Sequence, residues 1–417
     1  MLTKEANERL TRIGPGTPMG EVMRRYWFPV ATVSDLDRDP ARPVRILGEQ
    51  LVLFRTDDGQ LGLVQERCPH RGASLAYGIP EDGGLRCCYH GWLFDRQGHC
   101  AEQPGETGSE KLEAGSEAPS HLPRGRASCK DTVCIQAYPV QELGGLIFAY
   151  LGPAPVPLLP RWDLLVRDDI EREIGFVELP CNWLQIMENS VDPVHTEYLH
   201  SRYTNYRLRK QGKPPVAAER HHKQIRFEVF EYGIRKFRLH EGESEDSDDW
   251  QLGHPILFPN VLAIGDSRTA HLQFRVPIDD EHTLHFWYWT RPRPLGAPPQ
   301  DVHDIRVAEN PYKEADGAFR VDNVNGQDMM AWVTQGPIAD RTDERLGVTD
   351  QGIILLRRLW EEQIERVARG EDPIGTVRDP AKNFPMIDIP RERQAFYVAG
   401  GYVDSSADLV PTAQHGL

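Results

Sequence analysis

From residue 45 the chain alternates apolar and polar positions, RILGEQLVLFR and then, past a DDG turn, QLGLVQERC, the period-two rhythm of antiparallel strands joined by tight turns. The rhythm returns at 137–139 and in GGLIFAYLG at 144–152, which predicts a small all-β domain. Ahead of it, helical spacing predicts a helix over 4–12, a PGTPMG turn and a second helical piece over 21–26 that runs into Trp27-Phe28-Pro29. Residues 103–130, rich in Gly, Ser, Glu and Pro, are expected to form an exposed excursion, and PAPVPLLP at 153–160 an extended linker. Beyond the linker, strand-like runs at 225–232, 235–239, 270–276 and 283–290 are interspersed with a helical run at 353–370. The expected organisation is α+β: an N-terminal helical segment over 1–43, a β domain over 44–155 and a larger antiparallel-sheet domain over 156–417. No repeat at solenoid periods is present.

One stretch breaks the amphipathic pattern. Residues 182–200, NWLQIMENSVDPVHTEYLH, gather Glu188, Asp192, His195, Glu197 and His200, more metal-capable groups than helix packing calls for. A solvated amphipathic helix remains the plain alternative. Pro193 lacks an N–H and disfavours a helical residue before it, so two helical pieces are expected, with Asp192 as N-cap and Pro193 at the first position of the second. His195 and His200 are five apart, roughly 140° around a regular helix. Only distortion or a helix end would let both imidazoles reach one metal.

Composition narrows the classes. With 417 residues, 39% of them hydrophobic, the chain can bury a large core in two or three domains. A net charge of −15 argues against nucleic acid or an anionic membrane as partner, so an anionic substrate would need local arginines. The N-terminus has no signal-like apolar core and the most apolar stretch is too short to span a bilayer, giving the expectation of a cytoplasmic protein. Seven cysteines, an odd number, do not suggest a disulfide framework.

Two of them stand in a pattern. Cys68 and His70 are followed by Cys87 and His90, with sixteen residues between the pairs. One thiolate and one imidazole on each of two loops suit a two-iron cluster with sulfur ligands on one metal and nitrogen ligands on the other. A tetrahedral Cys2His2 zinc site is the competing chemistry. Cys88, Cys100, Cys129, Cys134 and Cys181 read as packed or free thiols.

The runs CPHRGASLAYG and CCYHGWLFD resemble the Rieske [2Fe–2S] motif, and ENSVDPVHTEYLH resembles the mononuclear iron motif of Rieske non-haem iron oxygenase α subunits. The resemblance implies cluster ligands at Cys68, His70, Cys87 and His90 and Fe(II) ligands at His195 and His200. The run from Gly326 through Asp350 is similar to the phthalate dioxygenase-like branch, which implies Asp328 as the third iron ligand, with Asp322 as its competitor. It further implies a helix-grip catalytic domain, a head-to-tail homotrimer, possible stacking of trimers, and Asp192 as an electron bridge between His195 and His90 of the partner subunit. Trp92 is expected to pack beside the cluster, Glu188 to support the ligand helix, Glu197 to be solvated, and Asn182 and Trp183 to lie near the iron.

The branch suggests an aromatic substrate, a carboxylate or an aryl ether, with Arg207 and Arg235 as candidate anchors. Dihydroxylation, monohydroxylation and O-demethylation all stay open, since substrate pose decides among them. No G-x-G-x-x-G dinucleotide motif is present, so electrons are expected from a separate NAD(P)H-dependent reductase, directly or through a ferredoxin. The rivals are a Rieske electron carrier without a second iron, and a zinc-stapled binding protein.

Overall fold

The computed structural model describes residues 1–104, 132–215, 220–265 and 269–391, and the strand Val410–Pro411. Most of the expected polar excursion, and Cys129 within it, lies outside the described residues.

Thr3 caps the helix Lys4–Thr11 and Thr17 caps Pro18–Met23, each hydroxyl accepting from an N–H of the first turn. The second helix starts three residues before the expected position because Pro18 occupies its first position, where a missing N–H costs nothing. It ends early for a tertiary reason. Trp27–Thr32 is a strand, paired antiparallel with Leu146–Tyr150, and the register slips between Pro29 and Ala31, where proline has no N–H to donate.

Two four-stranded sheets follow. One joins Ala41–Ile46, Glu49–Arg55, Leu61–Gln65 and Ala137–Tyr138; the other joins Ile79–Glu81, Gly84–Arg86, Leu93–Phe94 and Cys100–Glu102. Val52, Phe54, Val64, Leu75, Leu85 and Phe94 pack into one core that also takes in Cys68, Cys87 and Trp92. The two Cys/His loops therefore sit on rigid strands.

The larger sheet has nine strands in the order His222–Phe230, Gly233–His240, His254–Leu257, Val261–Gly265, Ala270–Pro277, Thr283–Pro292, Ile170–Leu179, Arg306–Glu309 and Val410–Pro411. All neighbours are antiparallel except Ile170–Leu179 with Arg306–Glu309. Four of these strands fall where alternation predicts them. Ile170–Leu179 was masked in sequence by the charged run Glu171-Arg172-Glu173.

The two faces of this sheet differ. Leu272, Phe274 and Val276 point into the main core, whereas their neighbours Gln273 and Arg275 register with Trp287 and His285 on the other face. There Val177, Leu179, Ile186, Trp287, Met329 and Trp332 form a separate apolar cluster beneath the helices Trp183–Ser190 and Val324–Val333. The long helix Gln351–Ala368 clamps the first of these, with Trp183 and Trp360 edge to face at 5.4 Å. Among the described residues no helix is long and apolar enough to cross a membrane.

Candidate metal centres

The Cys68 and Cys87 loops are built alike. In each, the cysteine carbonyl accepts from the N–H of a glycine four residues on, Gly72 or Gly91, at 2.8 and 2.9 Å. Both glycines take φ near +75°, at 73° and 77°, a conformation side chains resist. These turns present His70 and His90 to one another, ring centroids 4.3 Å apart, and Trp92 stacks flat on His70 at 4.7 Å. Burial, then the neighbouring Cys87, pushes the Cys68 thiol up to about 11. Cys88 and Cys134 are exposed, and Cys100 and Cys181 are buried thiols.

Across the chain a second set forms. After Ser190 the helix stops, and the Asp192 Oδ1 accepts from Val194 N–H at 2.8 Å, the capping role expected of it beside Pro193. Thr196–Tyr203 then winds as a π-helix, with His195 immediately before it. Its i→i+5 repeat supplies the distortion that the five-residue histidine spacing demanded. The Nε2 atoms of His200 and His195 stand 3.2 and 3.8 Å from Asp328 Oδ1, and the three donor groups lie within 4.8 Å of one another. Asp322 is exposed and takes no part.

Asp328 is delivered by the helix Val324–Val333, capped by Asn323. Gly326 permits the approach: a Cβ there would come within 1.7 Å of the Arg320 carbonyl. Gln327, which the sequence reading left without a role, places its Oε1 3.0 Å from His200 Nδ1 and anchors its own amide on Thr204 and Val321. His200 thus donates from Nδ1 and keeps the Nε2 lone pair for the shared space. Burial opposes ionisation of Asp328, but His200, His195 and Arg275 outweigh it and hold the carboxyl below its usual range. Asp192 Oδ2 lies 3.6 Å from His195 Nδ1.

The supporting residues sort differently from expectation. Glu188 touches no histidine of the set; it is gripped by Arg341 at 2.7 Å and Arg357 at 2.6 Å, and Arg357 also holds Glu344. This buried network fixes the Trp183–Ser190 helix to Gln351–Ala368. Glu197 is not solvated but binds His221 and His222 at 2.8 and 2.5 Å, because the strand beginning at His222 runs beside it. Asn182 caps the helix and ties it to the Thr11 and Asp280 carbonyls. Arg235 pairs across strands with Glu228 at 3.2 Å, and Arg207 lies over the Tyr203 ring; neither is joined to the three-residue set.

The donors fit metals. Asp328 Oδ1, His195 Nδ1 and His70 Nδ1 are buried without hydrogen-bond partners, a cost of about 1–3 kcal/mol apiece that a cation or its bridging carboxylate can remove. Among the described residues only His195, His200 and Asp328 bring three such donors within 4.8 Å. The donors on the Cys68 and Cys87 loops, one thiol and one imidazole on each, form no such group of three within 4.8 Å and suit a two-iron cluster.

The model of the Rieske [2Fe-2S] domain matches residues 26–114, and that of the LigXa C-terminal domain like family matches 299–389. Over 395 residues, 94% of this chain and 88% of the relative, the sequence is 43% identical to the 5,5'-dehydrodivanillate O-demethylase oxygenase subunit of Sphingobium sp. (strain NBRC 103272 / SYK-6). The chain belongs to the Rieske non-haem iron oxygenases. This oxygenase is also 31% identical over 412 residues, 90% of its length and 89% of the relative's, to the phthalate 4,5-dioxygenase oxygenase subunit of Pseudomonas putida, which bears out the expected branch. Its fold matches Pseudomonas putida CBB5 NdmA with a TM-score of 0.60 at 18% identity, covering 86% of this chain and 95% of that one. The oxygenase subunit carries a Rieske [2Fe–2S] cluster and a mononuclear iron, as expected, and works with a separate source of electrons.

Proposed function

We propose that Cys68, His70, Cys87 and His90 hold the cluster, that His195, His200 and Asp328 hold Fe(II), and that the enzyme O-demethylates a methoxylated aromatic acid. The observation that carries this reading is the convergence of two imidazoles and one carboxylate within 4.8 Å, in a chain 43% identical to an O-demethylase subunit. When bound, the cluster supplies electrons singly and the iron activates O2 at the positions that two histidines and a carboxylate leave open. Hydroxylation of the methyl carbon yields a hemiacetal that collapses to phenol and formaldehyde, so aryl–OCH3, O2, two electrons and two protons become aryl–OH, CH2O and water.

The chain's own groups set the stage. Gln327 orients His200, and Trp287 and Trp332 pack with Ile186 and Met329 in the apolar cluster that the Asp328 helix joins. Asp192, beside His195, serves as the electron bridge to His90 of the partner subunit in a head-to-tail homotrimer, since a carboxylate between two imidazole N–H groups fixes both. A separate NAD(P)H-dependent reductase, directly or through a ferredoxin, supplies the electrons. The domain assignment is 1–43 for the N-terminal segment, 44–155 for the Rieske domain and 156–417 for the catalytic domain.

Ring hydroxylation of an aromatic acid is the second reading, favoured by the identity to phthalate 4,5-dioxygenase. Turnover with a surrogate reductase separates the two. Formaldehyde formed in step with O2 consumed, from 5,5'-dehydrodivanillate or simpler methoxybenzoates, supports O-demethylation; a diol without formaldehyde supports ring attack and overturns it.

A further inference from the structure

Among the described residues, the face of the large sheet that carries Gln273 and Arg275 buries a cation that no carboxylate pairs with directly. Five arginines are buried: Arg24, Arg238, Arg275, Arg341 and Arg357. Four meet a carboxylate, Arg24 at Glu49, Arg238 at Asp249, Arg341 at Glu188, and Arg357 at Glu188 and Glu344. Arg275, 1% exposed, has no carboxylate within ion-pair distance among the described residues. Its Nη2 donates to Gln273 Oε1 at 2.7 Å and its Nη1 to the Gln273 carbonyl at 3.1 Å, while Nε has no partner. Burial pulls its pKa down to about 9, yet it remains a cation at neutral pH. A buried guanidinium left with neutral acceptors alone is an expensive arrangement unless an anion arrives.

Its position says which anion. Arg275 lies directly across from His285 on the neighbouring strand. His285 is fully buried, neither ring nitrogen has a partner, and the ring stacks on Trp287 at 4.0 Å and on Trp332 at 5.5 Å. Trp332 is one helical turn beyond Asp328 on the same helix, and the charges of Arg275 and Asp328 act on one another. With Asp328 committed to a metal, its charge would be shared and Arg275 would be left the more in need of a partner.

We propose that Arg275 is the specificity-determining anchor that receives the carboxylate of the aromatic substrate, with Gln273 holding the guanidinium in place and the tryptophans flanking the ring. This rests on the aromatic-acid reading above. It replaces Arg235, which Glu228 already occupies, and Arg207.

The test uses cluster- and iron-loaded enzyme under anaerobic conditions. Calorimetry gives dissociation constants for 5,5'-dehydrodivanillate and phthalate, each beside its dimethyl ester. Wild type is expected to prefer the acids. Arg275→Gln is expected to weaken acid binding by about tenfold to a hundredfold, the worth of a charged hydrogen bond, while ester binding holds. Arg275→Lys, which keeps the charge, carries the test if the Gln variant does not accumulate, with a severalfold loss for the acids alone. Equal losses for acid and ester, or no loss, would overturn the anchor and leave the aromatic-acid reading intact. A wild-type enzyme that binds the esters as tightly as the acids would overturn that reading and the anchor with it.

Discussion

Gln327 Oε1 lies 3.0 Å from Nδ1 of His200, and the next residue in the chain, Asp328, faces Nε2 of the same ring at 3.2 Å. Adjacent residues thus grip one imidazole from both ends. Gln327→Leu keeps the bulk and removes the acceptor, freeing the ring and its tautomer. Fe(II) binding is expected to weaken by about 10- to 100-fold, typical for loss of a hydrogen bond behind a ligand, with the cluster spectrum unchanged. Fe(II) titration of the iron-depleted variant measures this, and wild-type affinity would remove the role.

Asp192 sits 3.6 Å from His195 Nδ1 and is paired with no other imidazole of its own chain in the hydrogen bonds and ion pairs described. Asp192→Asn is expected to retain both metal centres and lose most turnover. In a single-turnover experiment, reduced cluster should persist when O2 and substrate are added. Normal activity in a fully metallated variant would sink the bridge.

Glu188 joins two buried arginines, so Glu188→Gln leaves Arg341 and Arg357 with too little negative charge between them. The expected loss is about 3–5 kcal/mol, characteristic of breaking a buried pair from one side. It should appear as a lowered Tm together with weaker iron retention, because the helix leading to His195 is what the pair fixes. An unchanged Tm would show that the network is idle.

The site was legible where chemistry is local and obscure where tertiary register decides. The Cys68, His70, Cys87 and His90 spacing announces its loops, and the five-residue gap from His195 to His200 already demanded a distortion. What sequence could not supply was its form, a π-helix. Nor could nearness in sequence to the iron motif find the buried cation. Arg235 and Arg275 both sit on strands, and only strand pairing shows that Arg235 faces Glu228 and Arg275 faces His285. Glu197 was misread for the same reason, since the strand that brings His222 to it starts 25 residues later. The strand Trp27–Thr32 went unread after the helical piece expected over 21–26, because Pro29 interrupts it and its partner lies over a hundred residues away.

Glu344 carries a pH signature. Burial raises its pKa, but the Arg357 guanidinium outweighs burial and holds it below its ordinary value. A depressed carboxyl contributes stability in full above its unfolded pKa, about 4.3, and loses it as pH falls through the lower folded value. Glu344→Gln should therefore lower Tm at pH 7, and the gap from wild type should close below about pH 4. A gap that stays constant with pH would contradict the ion pair.

Metal analysis beside the visible spectrum counts both metal centres of the chain at once. The wild-type chain should hold about three iron and two acid-labile sulfide, and Asp328→Ala the same sulfide and cluster absorbance with about one iron fewer. Colourless protein containing zinc and no sulfide, or an Asp328→Ala variant with its full complement of iron, would contradict this count.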